Sequence, residues 1–376
     1  MKKALIVTTN ISFFGFLKND LEILNSKGYE IHIATNKKLK DVNMTFDVPV
    51  KVHDIGFSRS PLSFANIEAF RHLYALINHY DFDIIHCHTP VAAALTRFAA
   101  KKARDRGTKV IYTAHGFHFY KGAPLKMWLM FYPVEKLLSG LTDTIITINT
   151  EDYDRAYNRF NTNIRYVHGV GVNVKDYKDF NVNTFNIREE LNILSTDIAM
   201  LSVGELNSNK NHETVIRALD VLINEMGHKN LHYFIAGDGV LKPELKRLIK
   251  NLCLGDNVHL LGYREDIKDL MKATDIYLLP SYREGLNVSL MEAMASGMPA
   301  IVSDIRGNKD LIDKNGGVRV APGDVNSWVA AIIDLISNTN LKKMGQHNQR
   351  VIEDYSNEKV YSEMLYIYQA VDNDIH

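Results

Sequence analysis

The stretch SYREGLNVSLMEAMASGMPAIVSD, from Ser281 to Asp304, combines a polar loop, a short apolar helix and a β-branched strand. We expect the helix to begin near Asn287 or Val288, and Gly297, Met298 and Pro299 to end it just before the strand. A helix that passes directly into a nearly continuous apolar strand is typical of parallel sheets covered on both faces. This stretch therefore indicates an α/β fold.

The same alternation of strand and helix extends along the whole chain. Strands are predicted at ALIVTT, EIHIAT, DIIHCH, KVIYTA and DTIITI in the first half, and at AMLSVG, LHYFIAG, NVHLLG, IYLLPS and PAIVSD in the second. Helical segments separate nearly every pair, for example 16–27, 64–79, 211–226 and 241–253. The pattern predicts two Rossmann-like, doubly wound domains that face each other across a cleft, where the carboxyl ends of both sheets would hold ligands.

The segment RYVHGVGVNVKDY, from Arg165 to Tyr177, is rich in glycine and lacks helical periodicity, so the domains are predicted as 1–172 and 173–356. A last helix, within 357–376, carries Tyr361, Leu365 and Tyr368 at helical spacing and needs an apolar surface. We expect it to pack back on the first domain. Helical spacing alone does not show which domain supplies the surface.

The composition, 46% apolar and 23% charged over 376 residues, is that of a globular protein without a membrane span. Polar residues interrupt the apolar start MKKALIVTTNISFF, so a first strand is favoured there over a signal peptide. The two cysteines, Cys87 and Cys253, lie far apart and fit a reducing cytoplasm. We expect a cytoplasmic protein.

The net charge of zero conceals an asymmetry between the two halves of the chain. Residues 1–172 hold 22 basic and 15 acidic residues, whereas the remainder holds 22 basic and 29 acidic ones. The first half is therefore predicted to meet an anionic surface, although mutual attraction of the two halves also fits. No nucleic-acid partner is expected.

Two glutamates flank the predicted helix start, Glu284 before it and Glu292 within it. Free backbone N–H groups around Gly285, Leu286 and Asn287 would form an anion- and hydroxyl-binding site beside Glu284. A carboxylate accepts two hydrogen bonds from a vicinal diol such as that of a ribose. Ordinary surface charge at this spacing remains an alternative.

Several motifs together resemble one known family. The chain is similar over essentially its whole length to the retaining glycosyltransferases of family 4, which have the two-domain GT-B fold. The likeness is greatest to bacterial enzymes of exopolysaccharide or capsule assembly, which add sugars to lipid-linked intermediates. It rests on the E-x7-E glutamates with EAMASGMPAIVSD, and on VGELNSNKNHETVIRAL, GDG, LLGYREDIKDLMKATDIYLLPSYREG, DIIHCHTP and IYTAHGFHFY.

The resemblance implies roles for four side chains. Glu284 would contact the transferred sugar, Glu292 the ribose, Lys210 the diphosphate and His115 the donor sugar. Cations and N–H dipoles would then stabilise the negative charge of the leaving diphosphate. Neither a metal nor another cofactor is expected. A solvated Lys210 and a histidine satisfied by backbone at the end of its strand are the structural alternatives.

One position departs from the family pattern. Many members carry an arginine five residues before the lysine, where this chain has Glu205. An acid beside a diphosphate is unfavourable unless it points away or pairs with Lys210. Either Lys210 and backbone N–H groups hold the phosphate alone, or Arg283 or Arg306 substitutes.

Further donor contacts are predicted from loops. Gly15 would let the backbone approach phosphate, Gly237–Gly239 would shape the floor of the site, and the backbone at Tyr263 and Arg264 would contact the base. Such backbone contacts leave no side-chain signature of the base. The resemblance favours a UDP-sugar over a GDP-sugar.

Three histidines of the first half complete the candidate set. His118 is assigned to the acceptor side. His86 and His88 alternate with Cys87 on a strand, but the cysteine opposes the histidines and no third ligand is evident nearby. No metal site is therefore expected.

No carboxylate nucleophile is obvious. The resemblance therefore implies that the acceptor hydroxyl attacks from the face that the diphosphate leaves, so that the anomeric configuration is retained. The leaving phosphate would act as the base for that hydroxyl. Three other functions stay open: a glycosidase with paired carboxylates, a nucleotide-sugar 2-epimerase of the same fold, and a non-catalytic partner that only binds nucleotide sugar.

The segment 117–140, FHFYKGAPLKMWLMFYPVEKLLSG, mixes aromatic residues with lysines. Its apolar run is too short to span a membrane, yet its composition is typical of the lipid headgroup boundary. We expect reversible binding to the anionic inner face of the plasma membrane, with Trp128 and Lys126 contributing, so that a lipid-linked acceptor reaches His118. An ordinary buried helix is the alternative.

Overall fold

The computed structural model describes residues 1–39, 45–180, 184–337 and 340–374. The chain divides into two compact units. The first unit contains Met1–Gly171 together with Asn357–His376, and the second contains Val172–Ser356.

The first unit is built on a seven-stranded parallel sheet with the strand order β3-β2-β1-β4-β5-β6-β7. Its strands are β1 (Lys3–Asn10), β2 (Glu30–Asn36), β3 (Val50–Asp54), β4 (Ile84–His88), β5 (Lys109–Ala114), β6 (Thr144–Thr147) and β7 (Asn163–Tyr166). Its helices are α1 (Lys18–Ser26), α2 (Ala65–Tyr80), α3 (Pro90–Ala99), α4 (Lys101–Asp105), α5 (Leu125–Ser139) and α6 (Thr150–Arg159), with the short 3-10 helix Ile11–Phe16 before α1.

The second unit repeats the plan with six parallel strands in the order β10-β9-β8-β11-β12-β13. Its strands are β8 (Ile198–Val203), β9 (Leu231–Ala236), β10 (Val258–Gly262), β11 (Ile276–Leu279), β12 (Ala300–Ser303) and β13 (Gly317–Val320). Its helices are α7 (Val174–Lys178), α8 (Thr184–Glu190), α9 (His212–Asp220), α10 (Lys242–Asn251), α11 (Ile267–Ala273), α12 (Val288–Ala295), α13 (Asn308–Leu311), α14 (Val325–Ile336) and α15 (Leu341–Val351). A π-helical turn, Val221–Glu225, continues α9, and the 3-10 turn Ile352–Tyr355 follows α15.

Each sheet is apolar on both faces. In β1, Leu5 and Val7 point into one core, whereas Ala4 and Ile6 point into another. Because successive side chains of a strand alternate between faces, a strand buried on both sides is mainly apolar along its length. The prediction of two Rossmann-like α/β domains with parallel sheets is confirmed.

Each strand order reverses once, between β1 and β4 in the first unit and between β8 and β11 in the second. The connections on the two sides of the reversal leave toward opposite faces, which opens a crevice at the carboxyl ends of the strands. Ligand-binding residues are therefore expected in the loops that follow β1 and β4, and in those that follow β8 and β11.

The last helix, α16 (Asn357–Asn373), belongs to the first unit and packs beside α1. Val360, Met364, Ile367 and Val371 recur at helical spacing and are buried in the core that Ile6 also enters. This helix completes one face of the first sheet.

Helix α5 presents two different faces. Trp128 and Phe131 pack against the core of the first unit, and the Trp128 ring lies 5.0 Å from the Arg155 guanidinium carbon. Trp128 is half-buried by these contacts, and its contribution to membrane binding stays a prediction. The residues that α5 exposes are instead aliphatic: Leu125, Leu129, Met130, Val134 and Leu137.

No helix within the described ranges is both long enough and apolar enough to cross a lipid bilayer.

A buried ion pair joins α5 to α3. The Arg97 guanidinium donates to both Glu135 carboxylate oxygens, at 2.8 and 3.1 Å, and the arginine is fully buried. The Arg97 Nε also donates to the Ala93 carbonyl at 3.1 Å, and its guanidinium lies 4.1 Å from the Tyr112 ring centre.

Replacing Glu135 by alanine should lower the free energy of unfolding by about 3–5 kcal/mol, because Arg97 is left charged and unpaired in the core. Urea titration followed by circular dichroism measures this. The exposed pair of Glu213 and Arg217 supplies the control, since Glu213→Ala should cost only about 0.3–0.5 kcal/mol. Equal losses in the two variants would contradict the assignment.

Candidate functional site

The loop after β11 is fixed at the point where α12 begins. The Asn287 Oδ1 caps the helix by accepting from the Leu290 N–H at 2.9 Å and from the Ser289 hydroxyl at 2.8 Å. The Ser289 hydroxyl in turn accepts from the Tyr277 hydroxyl at 2.6 Å. The helix start predicted at Asn287 or Val288 is confirmed.

Glu284 lies in this loop, next to two cations. Its Oε1 accepts from the Lys210 Nζ at 2.9 Å, although the two residues are 74 positions apart. The Arg306 Nε donates to the Glu284 carbonyl oxygen at 3.3 Å, and Arg306 is buried. The structure thus brings together a carboxylate, an ammonium group and a guanidinium group at the carboxyl edge of the second sheet.

The structure shows where Glu205 and the two candidate substitutes for the missing arginine lie. Glu205 is exposed, and Lys210 pairs with Glu284 instead. Of the two cations considered as substitutes for the missing arginine, Arg306 is the one that contacts the Glu284 backbone. Arg283 contributes its carbonyl oxygen, which accepts from the Asn209 side chain at 2.9 Å.

The backbone at Gly285 is crossed closely by a second loop. Gly307 adopts a φ of +76°, and a Cβ added there would lie 2.1 Å from the Gly285 carbonyl oxygen. Only glycine allows this approach, which holds the loop of Gly285 and Leu286 in place. Both residues are half-buried.

Glu292 lies one turn into α12 and has a partner that the sequence did not suggest. The Tyr177 hydroxyl donates to the Glu292 Oε1 at 2.7 Å, and the Lys268 Nζ lies 5.0 Å from the Tyr177 ring centre. The pKa of the Glu292 carboxyl is raised, because the effect of burial outweighs the lowering by the Tyr177 hydrogen bond and the Lys268 charge. Tyr177 ends the glycine-rich segment that was interpreted only as a domain boundary, and 115 positions separate it from Glu292.

The glycine turn after β9 brings two strand ends into backbone contact. Gly237 has a φ of +153°, and a Cβ there would lie 1.9 Å from the Gly204 carbonyl oxygen. A Cβ at Gly239 would lie 2.5 Å from the Leu206 carbonyl oxygen. The turn therefore packs directly on the loop after β8 that leads to Lys210.

The loop after β10 presents backbone rather than a free cationic side chain. The Arg264 guanidinium is held by Asp266, at 2.7 Å from its Nε, and by Glu190, at 2.8 Å. Tyr263 is exposed. The assignment of these two residues to base recognition stays a prediction.

In the first unit, His115 follows β5 and contacts His88 at the end of β4. The His115 Nε2 lies 3.1 Å from the His88 Nδ1, and the Phe13 ring packs edge-on against His115 with 4.8 Å between ring centres. Burial lowers the pKa of His115 to about 4, so its imidazole is neutral at pH 7. Gly15 follows Phe13 by two residues and is exposed within the 3-10 helix Ile11–Phe16.

His86 is engaged within the protein on both of its nitrogens. Its Nδ1 lies 2.7 Å from the Tyr368 hydroxyl, and its Nε2 lies 2.8 Å from the Thr113 hydroxyl. Cys87 faces the opposite core. Within the described residues, no three His, Cys, Asp or Glu side chains are grouped so that they could hold a metal ion.

His118 lies on a cavity of about 340 Å³ at the carboxyl ends of β1 and β4. Its ring stacks on Phe131 of α5, with 4.5 Å between ring centres. The cavity combines polar and apolar walls and is lined by Thr9, Asn10, Arg59, Pro61, Thr89, Pro90, Val91, His118 and Phe131. Arg59 was not singled out from the sequence, because an isolated arginine in a loop carries no motif.

Comparison with known proteins agrees with this architecture. The family model for group 1 glycosyl transferases matches residues 183–351, and the model for 4-like glycosyl transferases matches residues 5–149. EpsD of Bacillus subtilis (strain 168), a protein named as a glycosyltransferase, is 37% identical over 350 residues, which cover 91% of this chain and 90% of EpsD.

Two further comparisons extend the likeness. An Escherichia coli enzyme named UDP-Gal:alpha-D-GlcNAc-diphosphoundecaprenol alpha-1,3-galactosyltransferase is 25% identical over 340 residues, covering 87% of this chain and 85% of that enzyme. The crystal structure of Anabaena Alr3699/HepE in complex with UDP superimposes with a TM-score of 0.78 at 17% identity, covering 98% of this chain and 100% of that one.

Two doubly wound parallel-sheet domains with these neighbours define the GT-B class of glycosyltransferases. The chain belongs to the group 1, family 4-like glycosyltransferases, as the family models and the similarity to EpsD show. The predicted family is confirmed.

The contact of Tyr177 with Glu292 yields a prediction about charge. Replacing Tyr177 by phenylalanine should raise the pKa of Glu292 further, because the hydrogen bond that favours the ionised carboxylate is lost while burial remains. Carbon-13 NMR titration of the glutamate carboxyl groups, assigned with a Glu292→Gln variant, measures the shift. Tyr263→Phe, at an exposed position, should leave it unchanged, and a lower or equal pKa in Tyr177→Phe would contradict the prediction.

Proposed function

We propose that the protein is a retaining glycosyltransferase that transfers a hexosyl or N-acetylhexosaminyl group from a nucleotide-diphosphate sugar to a lipid-linked saccharide. The product would serve exopolysaccharide or capsule synthesis. The observation that carries the proposal is the contact of Lys210 with Glu284 at the mouth of α12, close in sequence to the half-buried Glu292. No cofactor and no metal are part of the proposal.

The donor binds in the second unit. Glu292 accepts from the ribose hydroxyls through the carboxylate oxygen that Tyr177 leaves free, and Lys210 and Arg306 meet the diphosphate. The backbone N–H groups of Gly285 and its neighbours add dipoles at the helix start. A uracil base is favoured over guanine, which is consistent with the UDP-Gal in the name of the E. coli relative and with the UDP bound to HepE.

Transfer requires stabilisation of the departing diphosphate, whose negative charge grows as the glycosidic bond breaks. Lys210 and Arg306 supply fixed positive charge for this purpose. Glu284 is bonded to Lys210 and is free to contact the transferred sugar through its second oxygen. With no nucleophilic carboxylate assigned, the acceptor hydroxyl attacks from the face that the diphosphate leaves and gives its proton to the leaving phosphate, so that the configuration is retained.

The acceptor binds in the first unit, in the cavity beside His118. Its size and its mixture of polar and apolar walls suit a saccharide. Arg59 supplies a cation to that cavity, and a lipid-linked saccharide with a diphosphate bridge carries the complementary charge. The diphosphoundecaprenol acceptor in the name of the E. coli relative has this chemistry.

An exposed apolar surface on α5 and after Pro61 supports a proposed contact with a membrane. Leu129 and Leu137 of α5 are 70% and 65% exposed, and Leu62 and Phe64 are 85% and 87% exposed just after Pro61, which lines the cavity. We propose that this surface rests on the anionic inner face of the plasma membrane, assisted by the basic balance of the first 172 residues. The enzyme would then be cytoplasmic and peripherally bound.

Incubation of the protein with radiolabelled UDP-sugars and a lipid-diphosphate-linked acceptor tests the proposed function. We expect label to appear in the lipid fraction with retained anomeric configuration. Free labelled sugar would identify a hydrolase, an epimerised donor formed without acceptor would identify a 2-epimerase, and bound but unchanged donor would identify a non-catalytic partner. Each of those outcomes would overturn the proposal.

Two alanine variants separate the roles of the glutamates. Glu292→Ala should weaken UDP binding by about 1.5–3 kcal/mol through loss of a charged hydrogen bond. Glu284→Ala should abolish most transfer while leaving UDP affinity nearly intact, because the Glu284 side chain contacts the transferred sugar, which UDP lacks. Calorimetric titration with UDP checks both, and equal losses of affinity in the two variants would refute the division of roles.

Replacing Leu129 and Leu137 together by serine should reduce binding to anionic vesicles by about tenfold, because two exposed aliphatic side chains no longer enter the headgroup boundary. Co-sedimentation with anionic and neutral vesicles, at low and high salt, measures the effect. Leu194→Ser with Val240→Ser, similarly exposed in the second unit, is the matched control. Equal recovery with neutral lipids, or unchanged binding of the first variant, would contradict the proposal.

A further inference from the structure

A second cavity of the first unit, of about 400 Å³, lies along the last strand of its sheet, and the proposed reaction gives it no role. Among the described residues β7 pairs only with β6, and its other edge forms the floor of the cavity. Helix α6 contributes Tyr153 to the walls, and α16 contributes Lys359, Glu363 and Tyr366. We call this cavity the β7 groove.

Tyrosine rings gather at the β7 groove. The Tyr153 ring stacks on Tyr157, with 5.7 Å between ring centres, and meets Tyr166 of β7 edge-on at 6.0 Å. Tyr366 lines the groove from α16, and both Tyr157 and Tyr366 are exposed. An exposed tyrosine offers an apolar ring face to the C–H groups of a sugar and a hydroxyl to the sugar oxygens. The aromatic part of the groove therefore suits sugar rings.

The charges of the β7 groove favour an anionic ligand. The Arg165 guanidinium makes no hydrogen bond or ion pair within the described part of the chain, and Lys359 adds a second cation. The Glu363 carboxylate is already engaged: its Oε2 accepts from the His168 backbone N–H at 3.0 Å, and its Oε1 lies 2.8 Å from the His168 Nδ1. A guanidinium whose donors are available pairs with a carboxylate through two parallel hydrogen bonds.

The length of β7 favours a saccharide over an added peptide strand. A peptide that extends a sheet gains its affinity from a ladder of main-chain hydrogen bonds. Strand β7 has only four residues, Asn163–Tyr166, and alternate residues turn their N–H and C=O groups to the same edge. Such a short strand supplies little of a ladder. The groove instead combines aromatic rings with a few polar and charged side chains, which is typical of a small-ligand site.

We propose that the β7 groove is a second saccharide-binding site, which takes an oligosaccharide that carries carboxylate groups. Sugar rings stack on Tyr153 and Tyr366, and one carboxylate accepts two hydrogen bonds from Arg165. None of the residues assigned to the donor or to the acceptor cavity lines this groove. A saccharide chain is thereby held on the first unit without occupying the acceptor cavity.

Titration of the full chain with fluorescently labelled hexagalacturonate, followed by microscale thermophoresis, tests the ligand class. We expect saturable binding, and a Kd about tenfold higher for the methyl ester of the same oligosaccharide, which keeps the sugar rings but loses the charged hydrogen bonds. Hexaglutamate, a peptide with the same number of carboxylates, should bind more weakly than hexagalacturonate. Excess UDP should not displace the oligosaccharide, because UDP belongs to the donor site of the second unit.

Four variants locate the binding. Arg165→Gln should raise the Kd for hexagalacturonate about tenfold through loss of a charged hydrogen bond. Tyr366→Ala should raise it about three- to tenfold, and since Tyr366 is 61% exposed the change leaves the core intact. Arg59→Gln, which removes the cation of the acceptor cavity, and Phe185→Ala, at an exposed aromatic of the second unit, are the matched controls and should leave the Kd unchanged.

The proposal is overturned if hexagalacturonate does not bind, if its methyl ester binds equally well, or if UDP displaces it. Tighter binding of hexaglutamate would identify a peptide site instead, and a loss in Arg59→Gln without a loss in Arg165→Gln would place the oligosaccharide in the acceptor cavity. Binding requires no turnover. A protein that binds hexagalacturonate in the β7 groove but transfers no sugar would therefore refute the proposed function and leave this inference standing.

Discussion

The hydrogen bonding of β1 to β4 and of β8 to β11 is the constraint on which the rest of the structure depends. Each pairing joins two strands whose following segments leave toward opposite faces of the sheet. Since helices then cover both faces, a crevice is left at the carboxyl ends of these strands. Lys210 and Glu284 follow β8 and β11, Thr9 lies at the end of β1, and Thr89 follows β4. The candidate site residues therefore lie beside the crevices that the topology opens.

Much of this arrangement could be predicted because it is encoded locally. Strands buried on both faces are mainly apolar, and a helix start is often marked by a capping residue such as Asn287, so both leave a pattern in consecutive residues. The contacts of Tyr177 with Glu292 and of Tyr368 with His86 connect residues 115 and 282 positions apart. No periodicity encodes such pairs, which exist only once the sheets have formed.

Helix α5 shows a different limit of sequence analysis. An aromatic residue among lysines has the same composition whether it faces a lipid or a core, and the direction of Trp128 depends on where Arg155 and the first sheet lie. The aliphatic residues of the same helix gave no distinctive signal, yet they are the exposed ones. The composition of residues 117–140 marked the segment as unusual, but only its packing shows which face of α5 is exposed.

The return of α16 to the first unit has a consequence for biosynthesis. Residues 172–356 are translated between the bulk of the first unit and the helix that covers one face of its sheet. At about 5–20 residues per second, the nascent first unit leaves Ile6 and its neighbours uncovered for about 10–40 s. During that interval Asp20 and His86 also lack the Tyr368 hydroxyl. Of the two units, the one whose synthesis begins earlier is therefore completed later, and until then one face of its sheet is exposed to other proteins.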